Sequence, residues 1–171
     1  MNAMAMAPVA PQEFIAAMGL AATGVSVVTT DGPSGRFGLT VSAVSSVSAE
    51  PPLILVCLNR KSPAMAAVDG NGLFAVNLLG ACHRAYAETF SGRPREGKPF
   101  DFANHDWREG ETGLPLVGDA TAAFECETHQ SLDAGTHRIY IGRVLAAHRG
   151  AAEPLVYCNR AFGRIVTHEG H

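Results

Sequence analysis

The stretch 38–63 constrains the fold more than any other part of the chain. Thr40, Ser42, Ser46 and Ser48 share a parity, so on one extended strand they point to one side. Pro51 and Pro52 then make a corner, and the apolar run 53–58 that follows reads as a buried strand. It empties into Asn59-Arg60-Lys61-Ser62-Pro63. Ser is a favoured N-cap, and Pro suits a first helical turn, where its missing N–H would be unpaired anyway. Unpaired amides and the helix dipole at such an end attract phosphate, and Arg60 and Lys61 add positive charge. A polar strand of small residues beside this helix start suits a pocket for a flat polar ring carrying a phosphate. On spacing alone, a capped surface helix and a solvent-facing edge strand explain the same residues better.

Around this stretch the chain alternates short apolar runs with turn residues. A short helix is expected over 11–20, where Phe14, Ile15 and Met18 fall at helical spacing. The β-branched run 25–30 ends in Asp31-Gly32-Pro33-Ser34-Gly35, a turn by composition, and 36–48 returns as one long strand to give an early hairpin. Further strands are expected at 53–58, 73–79, 121–128, 136–148, 154–157 and 162–167, with helices at 62–69 and 81–89. The segment 91–106, with Gly92, Pro94, Gly97 and Pro99, reads as a long irregular loop. Many strands with three short helices predict a mainly β barrel or sandwich.

Length and composition narrow the class. A chain of 171 residues that is 47% hydrophobic is one ordinary globular domain. We expect a flexible tail over 1–11 and the domain over 12–171. A net charge of −3 gives no footprint for nucleic acid or an anionic membrane. No apolar stretch approaches the roughly 20 residues of a membrane span. Cys57, Cys82, Cys126 and Cys158 are scattered, which fits free thiols in a reducing cytosol.

Several chemistries fail on pattern. Cys126 and His129 look like half a zinc site, but residues three apart on a strand face opposite ways. The chain has no Gly-x-Ser-x-Gly, no phosphate-cradling Gly-x-x-x-x-Gly-Lys-Ser/Thr, and no Gly-x-Gly-x-x-Gly after a strand. No metal site is expected.

The ordered set of Gly24-Val25-Ser26-Val27-Val28-Thr29-Thr30, the stretch 38–59, Gly72-Leu73-Phe74-Ala75-Val76-Asn77-Leu78-Leu79, Phe90-Ser91-Gly92, Gly135-Thr136-His137 and the end segment 157–162 covers most of the chain. Together these pieces resemble the flavin reductase family with the FMN-binding split-barrel fold, the small reductases of two-component flavin-dependent monooxygenases. The resemblance implies a split β-barrel of Greek-key type with a few short peripheral helices. It implies hydride transfer from NADH (or NADPH) to FMN (or FAD), a homodimer, and a partner oxygenase fed by diffusing reduced flavin. Another acceptor, such as a cobalamin, is served by relatives. The family needs no Rossmann signature, because its nicotinamide cofactor folds against the flavin. No arginine cluster for a 2′-phosphate is evident in the sequence, which favours NADH.

By the same resemblance, Thr40, Val41, Ser42, Ala43, Ser45 and Ser46 lie along the isoalloxazine edge. Cys57, Leu58, Asn59, Arg60 and Ser62 serve the ring, the ribityl chain and the phosphate. Phe90 and Arg93 border the flavin, and Tyr157 and Arg160 belong to the end that closes the pocket. Phe162 stands where relatives carry Tyr. His137 is the expected catalytic position near both rings, with Thr136 in place of the family's Asp. A flavin-binding carrier without nicotinamide turnover is the alternative from another class, since a fold does not settle activity.

Overall fold

The computed structural model describes residues 7–166. Most of the expected tail and Thr167, at the end of the last expected strand, lie outside the described residues. Twelve strands and three α-helices follow one another in the order α1 (Pro11–Met18), β1 (Thr23–Gly24), β2 (Ser26–Thr30), β3 (Phe37–Val41), β4 (Val44–Ala49), β5 (Pro52–Asn59), α2 (Pro63–Asn71), β6 (Leu73–Leu78), α3 (Arg84–Phe90), β7 (Trp107–Glu109), β8 (Pro115–Val117), β9 (Ala122–Ala134), β10 (His137–Arg149), β11 (Leu155–Cys158) and β12 (Ala161–Arg164). A single 3₁₀ turn, Ala81–His83, leads into α3. Seven strands form the main antiparallel sheet, in the order β3-β2-β6-β9-β10-β5-β4. A three-stranded sheet, β1-β11-β12, and the β7–β8 hairpin flank it.

The expected hairpin of β2 and β3 forms, with Val28 opposite Leu39. The single strand expected over 36–48 does not. It breaks at Ser42 and Ala43 into β3 and β4, which take opposite ends of the seven-stranded sheet. The shared parity of Thr40, Ser42, Ser46 and Ser48 therefore defines no common face, and a register shift between Ser46 and Ser48 breaks it again within β4. The reason is pairing: β3 is taken by β2 and β4 by β5, so the chain must step between them. Two residues span at most about 7 Å, so the two sheet ends come close at that step. The Ala43 carbonyl accepts from the Cys57 amide at 3.2 Å. The result is the mainly β, split-barrel architecture that the resemblance implied.

The core lies inside this curled sheet. Phe74, Val56, Val76, Leu58, Cys126 and Tyr140 are all fully buried there. Gly142 sits where a side chain would strike Phe74 Cζ at 2.5 Å and Cys126 Cβ at 2.8 Å, so only glycine lets β10 pass over this packing. A second cluster beneath α3 joins Val27, Leu79, Ala87, Phe90, Val117 and Leu155. Fully burying a side chain such as Phe74 or Phe90 stabilises the fold by about 2–3 kcal/mol.

Strand β9 runs well past the expected 121–128, while β10 keeps close to the expected 136–148; they pair from Arg149 opposite Ala122 to His137 opposite Ala134, with two register shifts along the way. Their far end is an exposed arm, polar except for Leu132. The helix α1 forms where expected but buries no residue, leaving Phe14, Ile15 and Met18 more than half exposed. No helix among the described residues is long and apolar enough to cross a membrane.

Candidate active site

Strand β5 organises one half of the site. On one side it pairs with β4, setting Val44 opposite Val56 and Ser45 opposite Leu55. On the other it pairs with β10, setting His137 opposite Asn59. Ser42, Ala43, Ser45 and Ser46 are exposed. Because β4 is an edge strand, its outer amides and carbonyls have no ladder partner. Ser45 Oγ has only a local bond, to the Ser46 carbonyl at 3.1 Å.

At the end of β5 the chain turns into α2 as the sequence predicts. Ser62 caps the helix, its Oγ accepting from the Ala64 amide at 3.2 Å, and Pro63 opens the first turn. Asn59 shapes the turn, with Oδ1 accepting from the Lys61 amide at 2.9 Å. Arg60 is tied to the β9–β10 arm. Its amide donates to the Thr136 carbonyl at 3.0 Å, its guanidinium to the Gly135 carbonyl at 3.3 Å, and it pairs with Asp133 at 3.3 Å. Asn59, Arg60, Lys61, Thr136 and Arg138 line one open cleft of about 580 Å³.

A chain of polar contacts fixes α2 against this arm. Arg138 pairs with Asp133 and with Asp69, each at 2.6 Å. The hydrogen bond from Arg138 holds the Asp133 carboxyl below its ordinary value. Tyr140 Oη donates to Asp69 at 2.8 Å from a fully buried ring, and burial, then the Asp69 carboxylate, push its pKa up. His137 is exposed at the head of β10, with Nδ1 2.9 Å from the Thr136 hydroxyl. The residue in place of the family's Asp thus still contacts the ring.

A second cleft, of about 630 Å³, opens where β3, α3 and the β11–β12 hairpin meet. It gathers Thr40, Val41, Ser42, Arg93, Tyr157 and Arg160 from the expected set. Thr40 is already committed, its Oγ1 donating to the Ala87 carbonyl at 2.8 Å. Tyr157 and Phe162 stack edge to face, 5.2 Å between centroids. Asn159 and Arg160 form the hairpin turn with φ of 46° and 61°. This left-handed conformation is costly for Arg and recurs at ligand sites. Ser42 belongs to both regions, reaching this cleft and starting the step to β4.

Two expected contacts take another form. Leu58 and Phe90 are fully buried, so their side chains belong to the core and line neither cleft. Phe90 instead props β3 from below, against Phe102 at 4.9 Å and Trp107 at 5.4 Å. Cys57 is half-buried and its thiol pKa is raised by burial. Cys126 is in the core, its thiol pushed up to about 12, first by burial and then by Glu125, while His129 is exposed beside Arg143.

The sequence reading missed Arg84, Glu88 and Ser91 on the second cleft. It also saw no arginine cluster, because Arg84, Arg93 and Arg160 come from three separate segments. Only the helical spacing of Arg84 and Glu88, an i,i+4 pair, was there to be read.

Comparison with known proteins agrees with this geometry. Residues 18–166 match the family model described as the flavin reductase like domain. An FMN reductase (NADH) RutF from Variovorax paradoxus is 42% identical over 162 residues, covering 92% of this chain and 88% of the relative. The NADH:FAD oxidoreductase SgcE6 of Streptomyces globisporus, solved with NAD and FAD fragments, superposes with a TM-score of 0.84 at 30% identity, covering 96% of this chain and all of that one. The styrene monooxygenase flavin reductase from Pseudomonas putida S12 gives a TM-score of 0.77 at 27% identity, over 90% of this chain and 98% of that one. Matched from α1 to the end of the described residues and folded as these reductases are, the chain belongs to the flavin reductase family.

Proposed function

We propose that the two regions act together in NADH-dependent reduction of FMN, with the flavin along β4 and β5 and NADH entering the cleft between α3 and the β11–β12 hairpin. One observation carries this reading. The exposed serine edge at 42–46 lies alongside residues 54–57 of β5, and the capped start of α2 follows the end of that same strand. A ring and a phosphate on one ligand can therefore be served at once. FMN fits this arrangement: the free edge amides of β4 and the Ser45 and Ser46 hydroxyls can donate to ring carbonyls, and the first turn of α2 with Ser62, Arg60 and Lys61 suits a phosphate.

When bound, the flavin supplies a hydride acceptor, chemistry that no side chain here offers. The protein's part is placement. Ser42 stands at the junction of the two regions, so it orients both ligands. Arg93 and Arg160 make no ion pair among the described residues and are free to meet the dinucleotide's diphosphate. His137, across from Asn59, lies beside the flavin region and is the side chain we assign to orienting the nicotinamide.

The active unit is a homodimer in this reading. Support comes from α1, which buries nothing within its own chain, and from the unpaired edge of β4 with Val47 exposed. A partner oxygenase would receive reduced flavin by diffusion, in a cytoplasmic setting consistent with four unpaired cysteines.

Anaerobic mixing of the protein with FMN and NADH tests the assignment, read as loss of oxidised-flavin absorbance. Catalysed bleaching is expected. Tight FMN binding without bleaching by NADH or NADPH would make the chain a flavin carrier and overturn the proposal.

A further inference from the structure

Glu88 is the one carboxylate on the second cleft among the described residues, and its side chain is only 13% exposed. Its Oε1 holds two arginines at once. Arg84 Nε donates to it at 2.7 Å, and Arg95 Nε at 3.1 Å. Arg84 also lies over Phe162, with its guanidinium carbon 5.2 Å from the ring centroid. Arg95 comes from the other side, out of the loop after α3, whose backbone is pinned where Arg93 N donates to the Glu88 carbonyl at 2.9 Å. One carboxylate oxygen therefore holds both the cation on the cleft's aromatic wall and Arg95, a loop cation that lies behind the cleft lining.

We propose that Glu88 is the specificity-determining residue that makes this cleft accept an adenosine with a free 2′-hydroxyl and reject one with a 2′-phosphate. The inference rests on reading the cleft as the dinucleotide site. A 2′-phosphate needs unspent cations, and Arg is the side chain that grips it. Arg84 and Arg95 have the right chemistry, but Glu88 already holds the Nε of each and so fixes where both guanidinium groups point. A phosphate entering beside them meets a carboxylate of its own sign, and like charges repel. Arg93 and Arg160 make no ion pair among the described residues, and the diphosphate common to both dinucleotides occupies them. Discrimination thus works by occupying the available cations and not by lacking them, as specificity often does.

The test compares kcat/KM for NADH and NADPH in the wild-type protein and in Glu88→Gln, alongside calorimetric titration with 5′-AMP and adenosine 2′,5′-bisphosphate. Freed arginines predict that the NADPH-to-NADH ratio rises about tenfold or more in the variant. Tighter binding of the bisphosphate relative to 5′-AMP is expected in parallel. An unchanged or lower ratio in folded Glu88→Gln overturns the proposal. Should that variant not fold, Arg95→Ala decides. It leaves the carboxylate with one partner, so discrimination against NADPH must strengthen, and a weaker or equal preference overturns the idea. Arg160→Ala separates the premise from the inference. If it alters neither the KM for NADH nor 5′-AMP binding, the cleft is not the dinucleotide site at all.

Discussion

His148 Nε2 lies 2.8 Å from Oε1 of Glu125, a carboxylate wholly buried between the main sheet and the β7–β8 hairpin. The same carboxylate accepts from the Glu111 amide at 2.9 Å, the Thr112 amide at 2.7 Å and the Thr112 hydroxyl. Gly110 permits the approach, since a Cβ there would stand 2.5 Å from the carboxylate. Glu125 is the pin that fastens the hairpin to β9.

Burial raises the Glu125 pKa, but the hydrogen bonds from Thr112, His148 and Glu111 outweigh it and bring it from 4.5 down to about 2. A depressed carboxyl stabilises the fold above its unfolded value and loses that contribution as pH falls through the folded one. Unfolding free energy is therefore expected to fall by about 3 kcal/mol between pH 5 and pH 2 from this group alone. Urea titrations across that range check it. Glu125→Gln should lose stability at pH 7 and lack this part of the acid slope; an equal slope in the variant would place the acid sensitivity elsewhere.

Gly38 has no room for a methyl group. A Cβ there would lie 2.6 Å from Phe90 Cδ1 and 3.2 Å from Phe102 Cζ, both aromatic rings in packed positions. Gly38→Ala is expected to cost about 1–3 kcal/mol, as overpacking does. It also shifts β3, so FMN affinity should fall with Tm, whereas an unchanged Tm would mean that the rings yield freely.

The phosphate assignment is tested by the double variant Arg60→Ala, Ser62→Ala. Hydrogen bonds to a charged group contribute about 1.5–3 kcal/mol, so FMN affinity should drop by roughly 10- to 100-fold. Riboflavin, which lacks the phosphate, should bind both proteins alike. Equal FMN affinity in the two proteins would refute the site at α2.

Tyr140 reaches α2 from β10 through its bond to Asp69. Tyr140→Phe removes that tie and should cost about 1 kcal/mol in chemical denaturation. Because the helix start moves with its body, FMN binding is expected to weaken in the same variant.

His137→Ala should raise the KM for NADH or lower kcat while leaving FMN affinity in place. Turnover and KM both equal to wild type would remove His137 from the reaction.

The sequence was legible wherever local pattern and final environment agreed. The run 53–58 is apolar because β5 lies inside the sheet, and Ser62-Pro63 caps a helix whether or not a phosphate binds there. Parity misled at Ser42 and Ala43, because strand partners far along the chain, and not local propensity, decide where an extended run must break. The β9 half of the arm, 129–134, was invisible for the opposite reason: exposed on both faces, it has no hydrophobic period to read. Glu125 left one unused sign, a carboxylate set between Phe124 and Cys126 in the apolar half of its strand. The second cleft left only the helical spacing of Arg84 and Glu88, since Arg84, Arg93 and Arg160 meet only after the fold is complete.

The step at Ser42 and Ala43 joins two strands that stand at opposite ends of the sheet. No ladder joins β3 to β4; the Cys57 amide anchors the step at the Ala43 carbonyl, and the Val44 amide closes it locally on the Ser42 carbonyl. With the flavin placed as proposed, its planar ring would act as a strut between these two strand ends. Occupied protein and empty protein would then differ most in how readily that line breathes, with amide exchange at 42–46 slowing as flavin fills it. On this view the cofactor closes the barrel that the chain leaves open.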